Sequence, residues 1–239
     1  MPLSLERPKA LCPVGGLALV DRALAAVGAV TADRAVNAHH GATDVSAHIH
    51  RRYGDAVHIS REEVLLGTGG ALGALREWID GRPVVVVNAD TVHTADLGAL
   101  VEGWDGERIR FLLAERPGTP FGPGVRLYGV LMPSRALQSL EAVPCGVYEQ
   151  IWAPWAALGR VEAVGVSAEW FDCGTPASYL AANLWLSEGK SVIGDDASVE
   201  GEVERTVVWD GASVSPAERL VDAIRTTAGR TVLVRWREG

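Results

Sequence analysis

Lysine is nearly absent: Lys9 and Lys190 are the only two in 239 residues, and arginine supplies the rest of the positive charge. The formal net charge is −8, with no basic stripe. A surface for nucleic acid needs such a stripe, so that class of partner is not expected. Cysteine is scarce as well. Cys12, Cys145 and Cys173 are odd in number, widely spaced and free of any CxxC pattern. That excludes a disulfide framework and suits reduced, packed thiols in a cytoplasmic protein. None of the three has an evident base nearby in sequence, which argues against a nucleophilic cysteine. Long apolar runs are also missing. Leu17–Val30 is interrupted by Asp21 and Arg22 and is too short to span a bilayer, and no secretory leader pattern opens the chain. No membrane partner is expected.

What the chain does contain is a core. Hydrophobic residues make up 48%, enough for one large domain, or one domain with a small appendage. Helical periodicity over Leu17–Ala26, Val45–Tyr53 and Gly69–Ile79 alternates with strand patterns at Arg34–Asn37, Ala56–Ile59 and Pro83–Val87. Thr43 or Asp44 is the expected cap of the second helix. The four valines Val84–Val87 show no alternation, the pattern of a strand buried on both faces. Further helices are expected over Leu97–Val101, Tyr148–Leu158 and Ala177–Glu188. Further strands are expected over Ile109–Ala114, Val125–Met132, Val161–Val166 and Glu169–Phe171. This alternation implies an α/β fold with a Rossmann-like, doubly wound sheet over residues 1–189.

The pattern changes from residue 190. Ser191–Val199 (SVIGDDASV) and Thr206–Val214 (TVVWDGASV) are near-copies offset by 15 residues. They predict a short β-rich tail over 190–239, either coils of a β-solenoid or a pair of hairpins. Trp209 is expected to cover the small core of that tail.

The chemistry concentrates in Glu63–Asp96. Gly67, Thr68, Gly69 and Gly70 stand directly before a helix, where the backbone allows close approach of a flat base or a phosphate. The strand that follows ends in Asn88-Ala89-Asp90. Ligands in open α/β sheets sit at the carboxyl ends of strands, and a carboxylate there can hold Mg²⁺ against phosphate oxygens. Two more segments complete the set: Arg7-Pro8-Lys9-Ala10-Leu11 near the start, and Trp170-Phe171-Asp172-Cys173-Gly174-Thr175-Pro176 before a helix with Tyr179 and Asn183.

With its P-K-x-L lysine, G-T-x-G-A-L helix start, N-x-D strand end and W-x-D-x-G-T-P motif in that order, the chain resembles the sugar-1-phosphate nucleotidyltransferase family. That family includes mannose-1-phosphate guanylyltransferases, glucose-1-phosphate thymidylyltransferases and N-acetylmuramate-1-phosphate uridylyltransferases. The resemblance spans Pro8 to Asn183. It implies a mixed sheet of the nucleotide-diphospho-sugar transferase type. It also implies nucleotidyl transfer from a nucleoside triphosphate to a sugar 1-phosphate, releasing pyrophosphate. On this resemblance Asp90 and Asp172 are the Mg²⁺ ligands and Lys9 neutralises the nucleotide phosphates. Gly67, Thr68 and Gly69, with Asn88, face the nucleotide, and Glu149 and Arg126 face the sugar phosphate. A homo-oligomer is compatible with a β-rich tail.

The family pattern also begins with a strand and a G-x-G-T-R loop, and Met1-Pro2-Leu3-Ser4 aligns with the end of that loop. The expectation is therefore a start roughly 15–20 residues upstream, the length of a strand plus its loop. Without that strand, two inner strands are expected to lose a hydrogen-bonding partner. Family members often carry a second lysine ahead of the sugar-phosphate site. Arg116 or Arg126 would have to replace it here. Two rival functions remain: a catalytically impaired nucleotide-sugar-binding homologue, and a Mg²⁺-dependent glycosyltransferase. The second usually shows Asp-x-Asp rather than Asn88-Ala89-Asp90. His39, His40, His48 and His50 read as ordinary surface or loop residues rather than a zinc cluster, and Arg51-Arg52 as a solvated helix end. Trp152 and Trp155 read as core.

Overall fold

The protein is described here by a computed structural model, over residues 2–114 and 125–236. It forms two compact units. The first comprises Met1–Arg22, Ala89–Val92 and Trp170–Gly239, and the second Ala23–Asn88 and His93–Glu169.

Strands β1 (Pro13–Val14) and β2 (Leu17–Ala18) form a hairpin turned by Gly15 and Gly16, at φ 56° and 78°. Such angles suit glycine, and at Gly15 a Cβ would also stand 2.6 Å from the Arg22 guanidinium. Because Leu17 and Ala18 are taken up by this hairpin, helix α1 (Leu19–Gly28) begins later than the periodicity predicts.

In the second unit, β3 (Arg34–Ala38) and β4 (Val57–Arg61) pair in parallel across helix α2 (Ala42–Tyr53), a βαβ crossover. Neither Thr43 nor Asp44 caps α2. Gly41 occupies the cap position in a left-handed conformation, and no side chain bonds there. The single helix expected over Gly69–Ile79 is broken at Leu75 into α3 (Gly67–Ala74) and α4 (Arg76–Ile79). Strand β5 (Val84–Val86) is followed by β6 (Thr91–His93), helix α5 (Gly98–Val101) and strands β7 (Ile109–Ala114) and β8 (Leu127–Met132). A π-helical turn, Tyr148–Trp152, leads into α6 (Ala153–Ala157) and then β9 (Val161–Val166).

The larger sheet has the order β5-β8-β7-β9. Its β7–β9 pair is parallel, whereas β8 runs antiparallel to β5 and to β7. The fold is thus the mixed, Rossmann-like α/β type expected. Its core gathers Leu72, Leu75 and Ile79 with Phe111, Val130, Met132, Val147 and Ile151. Trp152 and Trp155 pack on it as expected, with Trp152 edge-on to Phe111.

One expectation fails in this sheet. Val84–Val87 is not buried on both faces, because every one of these valines is only half-buried. The reason is pairing: among the described residues β5 bonds to β8 alone, and β3 to β4 alone. A strand with one neighbour keeps one edge open.

In the first unit, β10 (Trp170–Asp172) pairs with β6 and leads into α7 (Pro176–Leu186). Thr175 and Ser178 close a reciprocal capping box at the α7 start, and Pro176 fills the first helical turn where its missing N–H costs nothing. The tail then runs through β11 (Val192–Ile193), β12 (Ser198–Val199), β13 (Glu202–Glu204), β14 (Val207–Val208), β15 (Ser213–Val214), β16 (Arg219–Val221), β17 (Ala223–Arg225) and β18 (Thr231–Leu233).

Its pairing decides between the two tail readings. β11 stacks in parallel on β14, β12 on β15 and β13 on β16, with Val192 opposite Val207 and Ser198 opposite Ser213. Parallel stacking at the 15-residue offset is a solenoid coil; hairpins would pair antiparallel. The third face shifts to Glu202 opposite Arg219, and antiparallel β18 closes the stack on β17. Trp209 does more than cover the tail. It is buried with Leu3, Cys12, Leu19, Cys173, Tyr179 and Ile224, and its Nε1 donates to Tyr179 Oη at 3.0 Å.

Candidate active site

Asp90 and Asp172 are far apart in sequence, and the β6–β10 ladder brings them together. The Cys173 N–H donates to the Asp90 carbonyl at 3.0 Å, which sets Asp90, at the entry to β6, beside the end of β10 that carries Asp172. Lys9 reaches both from a single 3₁₀ turn, Lys9–Leu11. Its Nζ lies 2.6 Å from Asp90 Oδ2 and 3.9 Å from Asp172 Oδ1. All three side chains belong to the first unit and keep solvent access, at 29%, 43% and 55% exposure. Gly174 leaves room for the second carboxylate, since a Cβ there would stand 2.8 Å from Asp172 Oδ1.

The floor beneath them is apolar and closed. Cys173 and Cys12 are fully buried in the same cluster, and burial pushes their thiols up to about 12 and about 11. Thiols held neutral in this way are poor nucleophiles, in line with the packed role expected of them. Asn183, buried in α7, accepts from the Gly15 N–H at 3.0 Å and so pins the β1–β2 turn.

The glycine-rich segment lies in the second unit. Gly67 and Thr68 are exposed, whereas Gly69 and Gly70 are buried. The turn is held from two sides. On one, the buried Glu62 carboxylate accepts from Asn37 Nδ2 at 2.8 Å and from the Leu66 N–H at 3.2 Å. On the other, the Cys145 N–H donates to the Leu66 carbonyl at 2.9 Å, and the Gly69 N–H donates to the Cys145 carbonyl at 3.1 Å. Glu62 and Cys145 escape sequence reasoning. A pair of acids before an apolar run carries no motif, and the contact to Cys145 links residues far apart in sequence.

Asn88, Glu149 and Arg126 are exposed and lie in the second unit. Glu149 sits in the π-helical turn beside Gly146, where a Cβ would collide with its carboxylate. Arg116 lies outside the described residues. Among the described residues no three His, Cys, Asp or Glu converge as a metal cluster, and His39, His40 and His50 are exposed. No helix among them is long and apolar enough to cross a membrane. A separate cavity of about 390 Å³, lined by Arg34, His50, His58 and Trp78 among others, contains none of the predicted site residues.

The chain has relatives among known proteins. The chain is 31% identical over 221 residues to an N-acetylmuramate α-1-phosphate uridylyltransferase of Caulobacter vibrioides, covering 78% of this chain and 91% of that protein. The chain belongs to the sugar-1-phosphate nucleotidyltransferase family.

It is also 24% identical to a mannose-1-phosphate guanylyltransferase of Mycobacterium tuberculosis, over 96% of this chain and 71% of that one. Solved structures show the same fold. One, described as a putative glucose-1-phosphate thymidylyltransferase from Bacillus anthracis, superposes with a TM-score of 0.65 at 17% identity, covering 77% of this chain and 89% of that one. Another, described as a mannose-1-phosphate geranyltransferase from Thermus thermophilus, gives 0.64 at 14% identity, over 95% and 88%. No family model matches the chain. In this family member the Lys9–Asp90–Asp172 cluster gathers two carboxylates and one ammonium in one place.

Proposed function

We propose that this protein transfers a nucleoside monophosphate from a nucleoside triphosphate to a sugar 1-phosphate, giving a nucleotide sugar and pyrophosphate. The observation that carries this reading is Lys9 held between Asp90 and Asp172. Both substrates are anionic and repel each other, so the work of such a site is positioning and charge neutralisation rather than covalent catalysis. Lys9 meets the nucleotide phosphates. Asp90 and Asp172 hold its ammonium in place.

The same two carboxylates suit Mg²⁺. That ion takes one or two protein carboxylates and fills its remaining positions with water and substrate phosphates. A pair of partly exposed aspartates already gathered around one cation fits that donor set. Bound there, Mg²⁺ would neutralise charge developing on the phosphate oxygens. Thr68 and its flanking glycines present backbone to the base, and Asn88, which follows β5, faces the nucleotide two residues before Asp90. Glu149 and Arg126 contact the sugar phosphate. The protein acts in the cytoplasm, as its three free cysteines and the absence of a membrane-crossing helix among the described residues suit.

The test is pyrophosphate release across a panel of nucleotides and sugar 1-phosphates, beginning with UTP plus N-acetylmuramate 1-phosphate and GTP plus mannose 1-phosphate. Release that depends on both substrates and on Mg²⁺ is expected for one pair. Binding of a nucleotide sugar with no pyrophosphate from any pair would instead identify a non-catalytic homologue. Sugar transfer without pyrophosphate would identify a glycosyltransferase.

A further inference from the structure

The glycines of α3 answer to the protein's own chain as well as to a ligand. A Cβ at Gly70 would stand 2.2 Å from the Val143 carbonyl oxygen, and one at Gly73 2.2 Å from that of Glu141. At Gly67 it would stand 2.8 Å from the Cys145 oxygen, and at Gly69 2.8 Å from Cys145 Sγ. Contacts under 3.0 Å are not made by real Cβ atoms. All four glycines are therefore needed for residues 141–146 to lie directly on the helix. Two backbone hydrogen bonds through Cys145, to Leu66 and from Gly69, fasten the segment at the end that carries Thr68.

The same end of the segment leads through Gly146 and Val147 to Glu149. Val147 and Ile151, which flank Glu149, are buried in the same cluster as Leu72 of α3 and Leu75, the residue that follows it. Thr68 and Glu149 thus project from elements that share one apolar core and one pair of backbone bonds. Neither element can shift alone without opening the two backbone bonds and the apolar contacts they share.

We infer that Cys145 is a positioning residue whose peptide unit, seated on the glycine face of α3, couples nucleotide binding at Thr68 to sugar 1-phosphate binding at Glu149. This rests on the functional reading above, which places those two residues at the two substrates. Ordering of the segment by the first substrate leaves less to be ordered by the second. The coupling is reciprocal: each substrate tightens the other by the same factor.

The experiment measures dissociation constants by calorimetry on the full chain. The ligands are the sugar 1-phosphate that the pyrophosphate assay selects and the α,β-methylene analogue of its nucleotide, each titrated alone and in the presence of the other. In the unaltered protein each ligand should tighten the other about 5-fold or more, within the usual range for coupled sites. Gly70→Ala, which pushes the segment off α3 without touching Thr68 or Glu149, should reduce that factor to within about 2-fold, the lower margin of such coupling. It should raise KM for both substrates more than it lowers kcat.

If Gly70→Ala fails to fold, alkylating Cys145 in the folded protein supplies the same wedge, and Cys145→Ala supplies the protected control. Both substrates binding singly with no mutual effect would overturn the coupling and leave the function standing. A coupling unchanged by the wedge would overturn the role of Cys145. Failure of either ligand to bind at all would overturn the functional reading and the coupling with it.

Discussion

Lys9 Nζ lies 2.6 Å from Asp90 Oδ2 and 3.9 Å from Asp172 Oδ1, so one ammonium joins two carboxylates from distant parts of the chain. Because all three groups are partly exposed, the pair adds only about 0–1 kcal/mol to stability. On the proposed function its value lies in catalysis. Asp90→Asn and Lys9→Met are each expected to lower kcat by about 100-fold or more, the usual loss when a group that stabilises transition-state charge is removed. Thermal melting should move by no more than a few degrees. Pyrophosphate release and a melting curve on each variant check both halves. Unchanged release from Asp90→Asn would remove that residue from the site.

Glu62 gives a prediction of the opposite kind. Its carboxylate accepts two bonds in a buried place, from Asn37 Nδ2 and from the Leu66 N–H. In Glu62→Gln one oxygen becomes an NH₂ donor and must face another donor at one of those bonds. The expected cost is about 1–3 kcal/mol, the penalty for an unsatisfied buried group. Because Leu66 leads into the Gly67–Gly69 turn, KM for the nucleotide should rise while kcat stays near its original value. Urea denaturation and steady-state kinetics measure the two effects. Stability unchanged from the parent protein would show that the carboxylate is not needed there.

The contrast between these two sites explains what the sequence discloses. Lys9, Asp90 and Asp172 stand in ordered local motifs, and a local motif is readable before folding. Their meeting depends on the β6–β10 ladder, which no periodicity reveals, because β6 and β10 are three residues each. Ile109–Ala114 and Val161–Val166 form strands over the very residues expected, since their apolar runs are unambiguous. The helix split at Leu75 and the Gly41 cap on α2 were not legible. Each depends on how the next segment packs rather than on propensity. The glycines of α3 are expected from the sequence to admit a base or a phosphate at close approach. What approaches includes the carbonyls of Glu141, Val143 and Cys145, and that long-range contact leaves no mark on the sequence.

The buried thiols predict a pH effect. Cys12 and Cys173 are raised from an ordinary value of 9.0 to about 11 and about 12 by burial. Between pH 9 and those values the unfolded chain has lost protons that the folded chain retains. Stability is therefore fully present below pH 9 and is lost as pH rises through 11 and 12. Denaturation midpoints should fall over that window and recover on return to pH 8. In Cys12→Ala with Cys173→Ala, the part of the fall due to the thiols should vanish. At pH 8, iodoacetamide followed by mass spectrometry should modify the half-buried Cys145 and spare the other two. Rapid modification of Cys173 in folded protein would contradict its burial.

Trp209 provides the test of how the solenoid tail is anchored. Its indole is almost fully buried, and Nε1 donates to Tyr179 Oη, which in turn donates to the Pro13 carbonyl. This chain of bonds links a tail residue to α7 and to the β1 strand that follows Lys9. Trp209→Phe keeps most of the apolar contact and loses one neutral buried bond, at a cost of about 1 kcal/mol. Trp209→Ala removes the ring as well and should cost about 3–5 kcal/mol. If the tail were an independent appendage, either change would leave the Lys9 region untouched. If the tail is part of the same core, Trp209→Ala should also slow pyrophosphate release, because Lys9 sits three residues before Cys12 of that cluster. Urea denaturation read beside turnover separates the outcomes. A single cooperative transition with a lowered midpoint and lowered turnover is expected, and an early tail transition with full activity would show the tail to be dispensable.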